Sequence, residues 1–182
     1  MAGRREQRRR RTAAAAAAAA AALILLWTAA APAGQEDPAP GPPGFDFEAR
    51  FAVPAGVAWT DTGLEVDEGE EFHFRAAGSV SLQRGNPVAF CGPEGLAVRT
   101  VQQPVPDRNL GAFIVRVAQL VSISKDEETG AETRNEIVRF VYVGSEATVR
   151  MPLSGRLYLG LNEDVVGDNA GELAVEVWRR AG

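Results

Sequence analysis

Sulfur and imidazole are almost absent from this chain: its 182 residues include one cysteine, one histidine and two methionines. A lone cysteine, Cys91, cannot close an intramolecular disulfide, so burial alone has to hold the fold together. No GxSxG, HExxH or phosphate-loop pattern occurs, which removes three common signatures of hydrolytic and nucleotide-dependent enzymes. Paired carboxylates could serve a glycan hydrolase, but 24 Asp and Glu residues are spread so widely that their presence decides nothing. Helical periodicity is scarce beyond residue 44, and no internal repeat is visible. These absences favour a binding or structural domain over an enzyme.

The first 33 residues stand apart from the rest. Arg4, Arg5 and Arg8 to Arg11 precede an uncharged run from Thr12 through polyalanine to Leu23–Trp27, followed by Ala31-Pro32-Ala33. This order reads as a secretory signal peptide cleaved after Ala33, which would place the mature chain outside the cytoplasm, secreted or periplasmic. The alternative is an uncleaved anchor, since the apolar run is about as long as the ~18 residues that can span a bilayer. Six of the 19 basic residues and one of the 24 acidic ones lie in this segment, which leaves 13 against 23 and a net charge of −10. Such a field disfavours nucleic acid and an anionic membrane surface as partners. Residues 34–44, rich in proline and glycine, read as an extended linker. Residues 45–182 are the size of one domain and suffice to bury roughly two thirds of the unfolded surface.

Within that domain short alternating runs recur between Gly, Pro, Asp and Asn. Phe47, Phe51 and Val53 offer one core face; Phe72, Phe74 and Ala76 offer another, with His73 on the opposite, solvated side. The stretch Gly111–Ile123 is continuously apolar enough for a strand buried on both faces. Further runs at 136–143 and 147–153 complete six to eight strands, and the pattern predicts an all-β, two-sheet sandwich of jelly-roll kind. Cys91 and the tryptophans Trp59 and Trp178 read as packing residues, and Asp61-Thr62-Gly63 as a turn. The charged stretch Ser124–Glu136 reads as a solvated hairpin tip or insertion.

The most informative stretch is "LYLGLNEDVVGDNAGELAVEV", Leu157–Val177. Leu157, Leu159 and Leu161 alternate in period two, as do Leu173, Val175 and Val177, and the two flanks read as a hairpin. A hairpin closes in about two to five residues, yet Asn162–Gly171 carries Asn162, Glu163, Asp164, Asp168 and Asn169 over a longer path. Oxygen-rich side chains on a glycine-freed backbone suit calcium, which takes hard oxygen ligands in a forgiving geometry. The same residues also suit a solvated loop of turn formers.

Four segments, "AWTDTGLEVDEGEEFHFRAAGSV", "CGPEG", "GAFIVRV" and "SGRLYLGLNEDVVGDNAGELAVEV", occur in the order found in the galactophilic calcium-dependent bacterial lectins of the PA-I type, which this chain resembles over most of Val57–Trp178. The resemblance implies a small jelly-roll sandwich with one calcium ion, at the loop before the last strand, shared between protein and sugar. Glu163 falls on the family's aspartate, which binds calcium and faces the sugar. Asp168 and Asn169 fall on its paired asparagines, and Asp164 or Val165 is nearest to a backbone carbonyl donor. A further carbonyl would come from Ser79–Cys91. On the sugar side Glu163, Asp168, Asn162, Gln103 and Asp107 could bond hydroxyls, as could Gln102, Arg108 and Asn109. Two departures stand out: glutamate replaces aspartate at Glu163, and the loop Leu96–Leu110 contains no histidine, so galactose specificity does not transfer. The implied partner is galactose-like or another glycan, and the family's tetramers make a homo-oligomer the expectation. The competing reading is a structural or protein-interaction sandwich that has lost ion and sugar.

Overall fold

Period-two alternation becomes nine strands in a computed structural model that describes residues 40–101 and 103–182. The expected signal peptide, most of the linker and Gln102 lie outside the described residues. The strands are β1 (Phe45–Pro54), β2 (Thr60–Val66), β3 (Glu71–Ser81), β4 (Phe90–Cys91), β5 (Phe113–Lys125), β6 (Glu132–Tyr142), β7 (Glu146–Arg150), β8 (Gly155–Leu161) and β9 (Ala170–Arg180). They form two antiparallel sheets, one ordered β1-β9-β3-β4 with β7 also on β3, the other β2-β8-β5-β6. The all-β, two-sheet architecture is therefore the one the alternation predicts. Among the described residues no helix is long and apolar enough to cross a membrane.

Leu157, Leu159 and Leu161 of β8 face Leu173, Val175 and Val177 of β9 in one core with Phe72, Phe74, Phe113, Val115 and Val117. Removing a leucine or phenylalanine side chain from water stabilises the fold by roughly 2–3 kcal/mol. The predicted hairpin between β8 and β9 does not exist, however. β8 pairs with β2 and β5, whereas β9 pairs with β1 and β3. The chain between them crosses from one sheet to the other, and packed sheets stand about 10 Å apart. That crossing, which a two-residue turn cannot make, explains the length of the acidic loop.

Three other expectations change with the outer faces of the sheets. His73 is buried, not solvated: its ring meets Phe45 and Trp178, and its nitrogens lie 3.0 Å from Thr148 Oγ1 and from Glu146 Oε1. Arg75 covers Trp178, and Gly41 lies so close to that indole that an added Cβ would meet Nε1 at 2.4 Å. Phe47 leaves the core because the β1–β9 register shifts between Phe47 and Ala49, which turns its side chain outward against Trp178 while Phe51 and Val53 stay inside. Finally, β5 is buried on both faces only as far as Ala118. Beyond it β8 ends, and β5 and β6 continue as a two-stranded ribbon with exposed side chains. The Asp61–Gly63 segment is an irregularity inside β2, where Asp61 Oδ1 accepts the Gly63 N–H.

Candidate functional site

The crossing loop Asn162–Asn169 lies at one end of the sandwich, where the ends of β1, β3 and β8 and the start of β9 meet. At its first residue, Asn162 N donates to Ala112 O (2.8 Å) and Asn162 O accepts from Gly111 N (3.0 Å). The Asn162 side chain then clamps a second loop: Oδ1 accepts from Val105 N (2.8 Å), and Nδ2 donates to Val105 O (2.9 Å) and Asn109 O (3.0 Å). Asn162 is wholly buried, so the expectation that it faces a sugar is corrected: its amide is spent on the backbone of residues 105–109.

Gln103 is corrected for the same reason. It is buried, its Oε1 accepts from Thr100 N (3.1 Å), and its Nε2 donates to Val105 O (2.9 Å). Asp107 remains exposed, with Arg108 Nε 4.0 Å from its Oδ2. Asn109 ties the same loop to Glu94 O (2.9 Å), and Glu94 in turn accepts from Ser145 N (2.7 Å), Ser145 Oγ (2.6 Å) and the Tyr142 hydroxyl. Burial, followed by the Glu94 carboxylate, pushes the Tyr142 phenol up to about 12. Residues 103–109 are thus fastened to Asn162 and Glu94 beside the acidic loop.

The far end of the acidic loop is fastened by three hydrogen bonds to two residues, Arg84 and Ala55. Arg84 N donates to Asp168 O (2.7 Å), Arg84 Nη2 to Asn169 O (3.3 Å), and Asn169 Nδ2 to Ala55 O (3.2 Å). Gly171, at φ +86°, lets β9 begin so close to β3 that a Cβ would stand 2.8 Å from Ser79 O. Ser81 pairs with Ala170, so the end of β3 lies directly alongside Asn169.

Between these anchors the loop presents unneutralised acid. Glu163 is half-buried, and loss of water raises its pKa above the ordinary 4.5, offset in part by the Val165 N–H and reinforced by the charges of Asp168 and Asp164. No ion pair reaches Glu163, Asp164 or Asp168 among the described residues. The carboxylate field of Glu163 also reaches Cys91, whose thiol is raised first by burial and then by that charge. Cys91 is buried, as its place before Gly92-Pro93 predicts.

Asn169 supplies the decisive observation. It is 2 % exposed, and its Oδ1 has no hydrogen-bond partner. A buried carbonyl oxygen left unpaired costs about 1–3 kcal/mol, and in native proteins such an atom calls for a water or an ion. Among the described residues the other atom in this condition is Thr60 Oγ1 on β2, opposite Leu159.

The expected crowding of three carboxylates is not formed. Among the described residues no three His, Cys, Asp or Glu side chains come together as a metal-binding group. Asp164 and Asp168 are exposed, and the Val165 side chain is 68 % exposed. An all-oxygen donor set therefore has to combine Glu163 and Asp168 with the amide of Asn169 and with backbone carbonyls. Such a mixed set would suit calcium rather than zinc or copper, and the orphaned Asn169 Oδ1 is compatible with it. Sequence reasoning assigns Asn169 to the ion and Asn162 to the sugar. Both are buried, and which amide the backbone uses up is not visible in the letters, since the partner carbonyls lie 53 to 57 and 114 residues away.

No protein-family model matches the chain, and no curated protein matches it. Among solved structures the chain is similar to one described as "EclA N-terminal domain; PllA-like lectin", with 23 % sequence identity over 75 % of this chain and 98 % of that chain and a TM-score of 0.48.

Proposed function

We propose that the domain is a calcium-dependent carbohydrate-binding module, exported from the cytoplasm, whose ligand site is the crossing loop between β8 and β9. The observation that carries this reading is the buried, unpartnered Asn169 Oδ1 in the same loop as a half-buried, uncompensated Glu163. Glu163, Asp168 and Asn169 would hold the ion, with the carbonyl of Asp164 or Val165 as a further donor. Bound calcium would supply a positive centre at which two vicinal sugar hydroxyls replace water.

The chain's own residues do the rest. Glu163 and Asp168 accept hydroxyl protons, which orients the ring. The anchoring of both ends of the loop holds Glu163 in place before any ligand arrives, and such preorganisation lowers the ordering cost of binding. Asn162 and Gln103 act one layer behind: they hold the neighbouring loop, including exposed Asp107, against the site. A single shallow site of this kind binds weakly, so multivalency would set its useful strength.

The competing reading, a scaffold that has lost the ion, draws on the absence of a three-carboxylate group. A glycan array probed with the full chain in millimolar calcium and again in chelator separates the two. Binding to at least one class of vicinal-diol sugar, lost in chelator and lost in Asn169→Ala, supports the lectin reading. Equal signals under both conditions would sink it.

A further inference from the structure

The ribbon formed by the outer parts of β5 and β6 is the largest feature of the domain that the acidic loop leaves unexplained. It carries Leu120, Val121, Ile123 and Ile137, which are 45, 61, 52 and 42 % exposed. β6 is also an edge: it pairs with β5 on one side and with nothing on the other among the described residues. An exposed apolar ribbon beside an eleven-residue open edge is a template for another strand.

The backbone fixes how such a strand would pair. Val143 N donates to Phe113 O (3.1 Å) in continuation of the β5–β6 register. Odd-numbered residues of β6 therefore turn their N–H and C=O groups towards β5, and even-numbered residues turn theirs to the open edge. The even side chains stand on the outer face of the sheet, where Phe140 stacks on Trp59 and Glu136 meets Arg116. Glu136 Oε2 accepts from Arg116 Nη2 (2.7 Å), and among the described residues Arg134 makes no ion pair.

We infer that two copies of this chain pair through their β6 edges, antiparallel about a two-fold axis at Asn135. In this register Arg134 of each copy lies directly across from Glu136 of the other, twice per dimer. A register centred on Arg134 or on Glu136 would oppose like charges, and one centred on Ile137 sets Arg134 against Phe140 and Glu136 against Val138, with no charge pair. The cross-strand order on the outer face is then Ile123, Arg134, Glu136 of the second copy, Leu120 of the second copy, because Ile123 faces Arg134 and Leu120 faces Glu136 within each chain. The exposed aliphatic residues thus flank both ion pairs and shield them from water. On the inner face Ile137 meets Thr133 of the second copy. The pairing joins two four-stranded sheets into one of eight and leaves the crossing loop of each copy untouched.

Sedimentation equilibrium of the full chain tests this inference without reference to calcium or sugar. The expected weight is twice the 19.3 kDa of the chain. Arg134→Glu opposes Glu136 twice and should sediment as a monomer, as should Glu136→Arg, which opposes Arg134 twice. An equimolar mixture of the two variants should recover the dimer, since every cross-pair is then complementary. Val138→Pro removes an N–H that points to the open edge while sparing the ladder to β5, and should also give a monomer with an unchanged circular dichroism spectrum. A monomeric wild type, or an assembly that Arg134→Glu and Val138→Pro leave intact, overturns the inference.

Discussion

Two acidic connections of this domain look alike on paper and differ in what holds them. The tip of the β5–β6 ribbon is closed on itself: Asp126 N donates to Ala131 O (2.8 Å), Gly130 N to Asp126 O (2.9 Å), and Asp126 Oδ1 accepts from Thr129 N (2.7 Å). Its charges all lie in water, where they cost little. The β8–β9 crossing is tied instead to Ala55, Arg84, Val105, Asn109, Gly111 and Ala112. That fastening keeps Glu163 half out of water and leaves Asn169 Oδ1 buried without a partner. The number of acidic residues therefore says little about a site, while a charge that the fold prevents from hydrating says a good deal.

The comparison breaks most visibly at Asn162. Asn162→Ala removes three hydrogen bonds and strands the Val105 N–H, while Val105 O keeps Gln103 Nε2 and Arg108 N and Asn109 O keeps Ala112 N. A loss of about 1–3 kcal/mol in urea denaturation is expected, chiefly the cost of one buried donor left unsatisfied. No comparable loss is expected at the ribbon tip. Replacing Glu127–Gly130 by Asn-Gly converts it to a two-residue hairpin turn and should change stability by no more than about 0.5 kcal/mol.

Between these extremes lies Glu163. Because its pKa is raised in the folded state, the native protein holds that proton more tightly than the unfolded chain. Stability is thus lost as pH rises from the ordinary 4.5 through the raised value, and the penalty is fully present above it. In calcium-free buffer Glu163→Gln should be more stable than the wild type at neutral pH, by less than about 1 kcal/mol because water still screens a half-exposed group. The advantage should vanish below the ordinary carboxylate range. The four carboxylates whose pKa values are lowered, Asp61, Glu94, Asp126 and Glu146, are held down chiefly by Arg156, by Ser145 and Tyr142, by Thr129 and by Arg75 respectively. They lend stability that disappears as pH falls, so only the difference between the two proteins isolates Glu163. A stability gap that persists in acid would assign the effect to packing.

Much of this was legible in the letters and some was not, for definite reasons. Period two located β3, β8 and β9, because alternation and burial share one cause. It could not say that β8 and β9 belong to different sheets, since both faces of a sandwich core demand the same pattern from either sheet. The oxygen-rich loop was visible, and the identities of Glu163, Asp168 and Asn169 with it. What separates Asn162, a clamp, from Asn169, an amide with an oxygen to spare, is the position of backbone carbonyls far along the chain. His73 was misplaced because alternation assigns a solvated side to every strand, whereas here Phe45, Trp178 and Arg75 roof that side over. Phe47 was misplaced by a bulge that no pattern of two can register.

The thermal midpoint of the full chain in chelator, and again with millimolar calcium added, tests the central claim most directly. A ligand that binds only the folded state raises the midpoint by mass action, so calcium should raise it, excess chelator should return it, and Asn169→Ala should abolish the shift. A midpoint that calcium leaves where it was would contradict the account.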